Sequence, residues 1–241
     1  MSCIQKLAST HHASRLNKDG IQLAVVYLQY PNETIPVHSI FCIGRNYAAH
    51  AKELNNPVPA SPIIFLKPAT TIIHSGDWVI LPPQSQSVHH EVEVVLLIGK
   101  TGKNISESAA LDYVKGYGVG VDITARDIQQ KAKEKGHPWS VAKGFDTFAP
   151  VSDFIAAERI TDPGNLDLQL SVNGEVRQIG NTRDMLFPIP TLIKHLSAIF
   201  TLSPGDLIFT GTPQGVGPFK KGDKLHATLG QGLAELRVNV K

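Results

Sequence analysis

Short apolar runs, separated by Gly, Pro and Asn, set the pattern of the chain. Residues 23–28 predict a strand between Gly20 and the turn-prone Tyr30-Pro31-Asn32, and residues 37–43 a second one ending at Gly44. Asn46 is placed to cap a short helix, which the loop and prolines of residues 54–62 must stop. Residues 63–66 predict a strand delivering Lys67-Pro68, and residues 78–81 another, closed by Pro82-Pro83. Residues 92–98 are apolar apart from Glu93, and residues 117–121 form a β-like run studded with glycine. Short helices are expected over 106–113 and from Thr124 to about Ala132. Residues 166–172 and 175–179 flank Asn173-Gly174, a two-residue hairpin turn. A helix over 189–200, a strand over 207–210 and closing strands over 224–229 and 233–240 complete the pattern. Many short strands with few helices predict a β-rich α+β fold.

One run carries chemistry. In His89-His90-Glu91-Val92-Glu93, alternation across a strand sends Glu91 and Glu93 to one face and Val92 and Val94 to the other. Paired carboxylates are costly to bury unless a cation sits between them. Asp122 ends the glycine-studded run, so three acids converge if the two strands are neighbours. Three oxygen ligands without cysteine suit a hard divalent ion, Mg2+ or Mn2+, with positions left for water and substrate. Taken alone, the alternation equally suits the solvent face of an edge strand. A zincin motif is excluded, because Val94 stands where a second His would have to follow His90 on a helix.

Other candidates gather around this run. His50 and Glu53 fall one turn apart on the short helix, the spacing by which a carboxylate orients a general base, and also that of an ordinary surface pair. Arg126 and Gln129 lie one turn apart near a helix start, where anionic ligands are favoured; Arg126 could also pair with Asp127 or Glu134. Lys67 ends a strand, and Lys143 interrupts an apolar stretch, as a cation facing a site or a snorkelling surface residue would. Gly116, Gly118 and Gly120 lack the third glycine of a dinucleotide fingerprint, since position 121 is Val. Their alternation suits a strand packed closely against another backbone. The loop 211–217 lacks the Gly-Lys-Ser/Thr of a phosphate-binding loop.

Composition adds limits. Lys and Arg number 23 against 21 Asp and Glu, a net charge of +2 without runs of one sign, so no nucleic-acid or acidic-membrane surface is expected. Two cysteines, Cys3 and Cys42, exclude a disulfide framework and fit a reducing compartment, expected to be the cytoplasm. No apolar run approaches the ~20 residues of a membrane helix. Lys6, Arg15 and Lys18 precede the first acid, Asp19, a pattern shared by a loosely packed leader and a weak transit peptide.

Six pieces, in order, resemble the fumarylacetoacetate hydrolase superfamily, and most its small single-domain branch of acylpyruvate hydrolases and oxaloacetate decarboxylases. They are Gly44-Arg45-Asn46-Tyr47 with His50 and Glu53, Phe65-Leu66-Lys67-Pro68, His90-Glu91-Val92-Glu93, Asp122 to Asp127, Lys143-Gly144-Phe145-Asp146, and Thr210-Gly211-Thr212-Pro213. The resemblance covers residues 37–241 as a catalytic domain and leaves residues 1–36 as a poorly matched leader and N-terminal strand. It implies a mixed β-sandwich roll, a homodimer, and Mg2+ or Mn2+ held by Glu91, Glu93 and Asp122. It further implies His50 and Glu53 as a water-activating base, Lys143 near the scissile carbon, and Arg45, Lys67, Arg126, Gln129 and Thr212 in the substrate pocket. The expected substrate is a small 2-oxo acid, chelating the ion and forming an enolate at C3. Hydrolysis of the carbon–carbon bond of acylpyruvates is the first expectation. Oxaloacetate decarboxylation, tautomerisation and hydroxymuconate-type isomerisation are the rivals, and a silent oxo-acid-binding module is the non-enzymatic one.

Overall fold

The protein is described by a computed structural model covering residues 24–53 and 58–241. Residues 1–23, which include the leader and the first residue of the first expected strand, and residues 54–57 of the expected loop lie outside the described residues. The first third holds β1 (Val25–Gln29), β2 (Glu33–Pro36), β3 (Ile40–Gly44), helix α1 (Ala48–Glu53), β4 (Ile63–Lys67), β5 (Ile72–His74) and β6 (Trp78–Val79). Next come β7 (Val88–His90), β8 (Val92–Ile98), β9 (Val114–Val121), β10 (Thr124–Ala125), helices α2 (Arg126–Glu134) and α3 (Ser140–Lys143), β11 (Ala149–Val151) and β12 (Phe154–Ala156). The hairpin β13 (Asp167–Val172) and β14 (Glu175–Asn181) leads to helix α4 (Ile189–Ile199). Strands β15 (Leu207–Phe209), β16 (Gly217–Pro218), β17 (Lys224–Leu229) and β18 (Ala234–Val240) end the chain.

These strands form a ten-stranded sheet, with the path β2-β1-β12-β9-β8-β15-β3-β4 joined by β5 and β11, a five-stranded sheet β14-β13-β17-β18-β6, and a three-stranded one, β10-β7-β16. Strand β8 runs through the middle of the large sheet and is buried on both faces, which explains its continuous apolar run. Val92, Val94, Leu96 and Ile98 enter the larger core, shared with α4 and the five-stranded sheet. Val95 and Leu97 enter the smaller core with Ile40, Phe154 and Phe209. Glu93 shares the parity of Val95, so period-two alternation aims it to that second side. Strand β9 pairs antiparallel with β8, Val92 opposite Val121 and Glu93 opposite Gly120. A Cβ on Gly120 would lie 2.8 Å from the Phe209 ring and from Val95. Bare glycine is what lets the strand lie this close to its neighbours, as its alternating pattern predicted.

Several elements depart from the sequence expectation. Residues 33–36, next to the expected turn, form β2 and pair with β1. Thr124 and Ala125 are not helical: they pair with β7, Thr124 opposite His89, and α2 opens only at Arg126. Residues 107–113 wind as a 3-10 helix. Asn46 does not cap α1; its amide donates to Phe187 O at 3.1 Å and Thr210 O at 2.8 Å and accepts from Phe187 N–H at 2.8 Å. The side chain ties distant loops together, and no local spacing shows that. The hairpin, α4 and the closing strands lie within a residue or two of expectation.

Candidate active site

Antiparallel pairing of β8 and β9 builds the acidic cluster. Glu91 immediately precedes β8 and Asp122 immediately follows β9, and the Asp122 amide donates to Glu91 O at 2.8 Å. Glu91, Glu93 and Asp122 are buried, with candidate ligand oxygens all within 4.8 Å of one another. The edge-strand alternative therefore fails, since these acids point inward.

Three cations meet the cluster. Lys143, at the end of α3, is buried and sets Nζ 2.8 Å from Glu91 Oε2, 2.5 Å from Asp122 Oδ2 and 2.7 Å from Thr124 Oγ1. Burial opposes its charge, but Asp122 and Glu91 outweigh burial and raise its pKa. Arg126, at the start of α2, donates to Glu91 Oε1 and holds Gln129 Oε1 at 2.6 Å. Burial works to raise the Glu91 carboxyl, yet Lys143, Arg126 and His50 hold it well below the usual carboxylate range. Lys67 approaches from behind: its Nζ lies 2.8 Å from Asp122 Oδ1 and donates to the carbonyls of Ile123, Lys143 and Phe148.

Glu93 is less well compensated. Its Oε2 accepts from the Gly211 amide at 2.7 Å, and burial, with Asp122 and Glu91 alongside, pushes its pKa well above the usual carboxylate value. Gly211 reaches it at φ +101°, where an added Cβ would lie 2.6 Å from Asn46 Cβ, so only glycine brings this amide in without strain. A cluster of hard oxygen donors, short of positive charge at one end, fits a divalent cation held by Glu91, Glu93 and Asp122.

The short helix α1 brings His50 to the same place. His50 Nδ1 lies 3.3 Å from Glu53 Oε2, and Glu53 Oε1 accepts from the Gly215 amide at 3.0 Å. Burial lowers the His50 pKa below 6.5, against the opposing pull of Glu91 and Glu53. A neutral ring donating through Nδ1 keeps its basic lone pair on Nε2.

One cavity of about 30 Å³ joins these groups, and Arg45, His50, Gln129, Lys143 and Thr212 stand on its wall with the acids and Arg126. Two expected residues stand back from it. Glu53 touches the site only through His50 Nδ1. Lys67, expected in the substrate pocket, has its ammonium enclosed by Asp122 and three carbonyls.

Sequence reasoning missed four contributors. Gln178, on β14, accepts from Val92 N–H and meets His90 Nδ1 through Oε1, while Nε2 donates to Thr212 Oγ1 and Pro213 O. It thereby locks the hairpin to the acidic strand and to the loop carrying Thr212. Thr124 holds Lys143. Lys133 and Trp139 line the cavity; the α2 face of Arg126 and Gln129, extended by one more turn, reaches Lys133.

A curled, strand-rich roll that turns acids inward between antiparallel strands, under a short helix bearing a His/Glu pair, is an enzyme architecture. The chain belongs to the fumarylacetoacetate hydrolase family: the family described as "Fumarylacetoacetate (FAA) hydrolase C-terminal" matches residues 39–241. Members of that family act as hydrolases, isomerases and decarboxylases. The chain is 50% identical over 202 residues to a protein of Arabidopsis thaliana named "Oxaloacetate tautomerase FAHD1, mitochondrial", covering 84% of this chain and 90% of that one. It is also 50% identical over 184 residues to "Oxaloacetate decarboxylase, mitochondrial" of Dictyostelium discoideum, covering 76% and 84%. A crystal structure of fumarylpyruvate hydrolase from Pseudomonas aeruginosa in complex with Mn2+ and pyruvate superposes with a TM-score of 0.85 at 37% identity, covering 93% and 99%. Among the described residues no helix is long and apolar enough to cross a membrane. Both named relatives are mitochondrial, so they lend no support to a cytoplasmic location.

Proposed function

We propose that the chain transforms small 2-oxo acids at a Mg2+ or Mn2+ ion bound by Glu91, Glu93 and Asp122, and that keto–enol tautomerisation of oxaloacetate is its main reaction. The observation carrying this reading is a neutral base, His50, and a firmly held cation, Lys143, facing one cavity beside the acid cluster. The relative at 50% identity, named as an oxaloacetate tautomerase, supports the choice of substrate.

The bound ion would supply positive charge against the oxygen charge that develops on a chelated 2-oxo acid. The chain's own residues do the rest. His50 Nε2 removes a proton from C3, and Glu53 orients the ring through Nδ1 and favours its protonated form. Lys143, fixed by Glu91, Asp122 and Thr124, keeps a second cation beside the reacting oxygen. Arg126, Gln129 and Thr212 orient the acid. Delivering that proton to the 2-oxo oxygen gives the enol; in the direction from enol to keto acid His50 takes the enol O–H proton and delivers it to C3, and neither direction consumes water.

Hydrolysis of acylpyruvates, the first expectation from sequence, stands as the second reading. It asks the same His50 to activate a water toward a 4-carbonyl, and the likeness to a fumarylpyruvate hydrolase favours it. A homodimer belongs to this proposal as well. The edge strand β4 leaves Leu66 49% exposed and α3 leaves Val141 63% exposed, an apolar surface suited to a second copy.

Purified protein should be offered enol-oxaloacetate, acetylpyruvate and fumarylpyruvate with Mg2+ and with Mn2+. Loss of the enol absorbance well above the buffer-catalysed rate, dependent on the ion, supports tautomerisation. Turnover confined to the acylpyruvates replaces it with hydrolysis, and no turnover of any of them defeats both.

A further inference from the structure

Arg126, Gln129 and Lys133 follow one another on α2 at helical spacing, so all three share a face, and all three line the cavity. Arg126 is engaged by Glu91 and Gln129. Lys133 is different. Among the described residues no carboxylate pairs with it; the contact its ammonium makes is with Trp139, 5.4 Å from the ring centroid. Trp139 is itself braced by Phe65, ring centroids 5.7 Å apart. A lysine on an open surface swings its head into water. This one is half-buried over an indole, which holds its charge at the cavity. Arg45, just beyond β3, lines the same cavity and likewise has no carboxylate partner among the described residues.

The charge at the site is lopsided. Among the side chains lining the cavity, Arg45, Arg126, Lys133 and Lys143 outnumber the carboxylates Glu91, Glu93 and Asp122, and Lys67 supports Asp122 from behind. A divalent ion would widen the excess. The carboxylate of a 2-oxo monoacid, engaged with that ion, leaves Lys133 and Arg45 uncompensated. Burial, then the nearness of Arg126 and Arg45, already pushes the Lys133 pKa below its usual value. An added anion would relieve that crowding.

We propose that Lys133, with Arg45, receives the second carboxylate of a 2-oxo dicarboxylate and so sets a preference for diacids over 2-oxo monoacids. This rests on the reading that a 2-oxo acid binds beside Glu91, Glu93 and Asp122, and adds which oxo acids are selected. Lysine suits the task because a point charge on a flexible stem accepts carboxylates at several distances, where an arginine fork demands one geometry.

The test uses pyruvate and 3,3-difluoro-oxaloacetate, which adds the second carboxylate and replaces the C3 protons by fluorine so that it cannot enolise; the fluorines act alike on wild-type and variant, so the change in the affinity gap reads the carboxylate. With Mg2+ present, calorimetry on the wild-type protein should show the diacid binding about tenfold or more tighter, the scale of one charge-assisted hydrogen bond. Lys133→Gln should close most of that gap and leave pyruvate affinity within about twofold, and Lys133→Arg should restore part of it. For oxaloacetate turnover, Lys133→Gln should raise KM with little change in kcat. A gap that survives Lys133→Gln, or equal weakening of both ligands, overturns the assignment. Failure of the wild-type protein to bind pyruvate at all overturns instead the oxo-acid reading beneath it. A thermal melt confirms folding, which substitution of a half-exposed helix residue should leave intact.

Discussion

Lys67 Nζ sits 2.8 Å from Asp122 Oδ1 with both side chains shut away from solvent. Carbonyls of Ile123, Lys143 and Phe148 take the ammonium's three hydrogens, so the charge is fixed from the core side, pairs with Asp122 by its nearness alone, and aims Asp122 outward toward Glu91 and Glu93. Removing one member of such a pair leaves an uncompensated buried charge. Lys67→Met should lower the free energy of unfolding by about 3–5 kcal/mol. Urea denaturation near neutral pH measures it, and a loss below about 1 kcal/mol would show that the pair is not what supports Asp122.

The carboxylate cluster makes a prediction about the ion. Glu93 is the acid with the least compensation in the structure, so it should gain most from a divalent cation. Glu93→Ala should weaken Mg2+ and Mn2+ binding by about 10²-fold or more, each such ligand contributing several kcal/mol. Titration calorimetry of wild-type and variant protein decides the matter. Unchanged affinity would remove Glu93 from the ligand set.

His50 predicts a pH profile. Burial lowers its pKa below 6.5, so the ring is neutral near pH 7 and already competent as a base. Protonation on acidification removes that competence. The ion-dependent rate should therefore be flat above about pH 6.5 and fall on the acid side with a midpoint below that value. His50→Ala should lose about 10²-fold or more of tautomerisation and of any acylpyruvate cleavage, yet keep ion and oxalate binding. Decarboxylation, which requires neither a C3 base nor an attacking water, should suffer less. An acid limb that persists unchanged in His50→Ala assigns the titration to another group.

The difference between what was readable in the chain and what was not has a physical pattern. Glu91 and Glu93 were legible because a strand repeats every two residues, and Asp122 because glycine alternation marked its strand as a close neighbour. His50 and Glu53 were legible because a helix turn joins residues three apart. Each of these signals is local. Gln178 gave none: a glutamine in a hairpin strand looks like a solvent-facing residue, and its four partners lie in segments far along the chain. Asn46 failed for the same reason, its composition suiting a cap while its contacts came from residues 187 and 210. Lys67 was noticed for its charge, but the direction of its side chain depends on where Ile123 and Phe148 fold, which no spacing encodes. Lys133 stood within reach of a helical-periodicity argument, one turn past Gln129.

The short helix α1 is fastened differently at its two ends, and this carries the last prediction. Before it, Asn46 is fully buried and bonded to Phe187 and Thr210, and Tyr47 bridges to Met185. At its end, Glu53 is exposed and is held through the Gly215 amide and His50. Six residues are too few to stay helical on their own, so α1 depends on these attachments. The N-terminal ones belong to the core; the C-terminal one is a latch to the loop that also carries Thr212. A ligand resting under His50 and against Thr212 would strengthen the latch from both sides. Amide exchange across residues 47–53 should then slow when oxalate is added to the Mg2+-loaded protein, by more than in β8, whose amides are already protected by the central sheet. Glu53→Ala should raise exchange in the free protein toward a common fast rate and shrink the effect of oxalate. Equal exchange with and without oxalate would mean that α1 is a fixed wall of the site, and His50 would then meet its substrate without any closing motion.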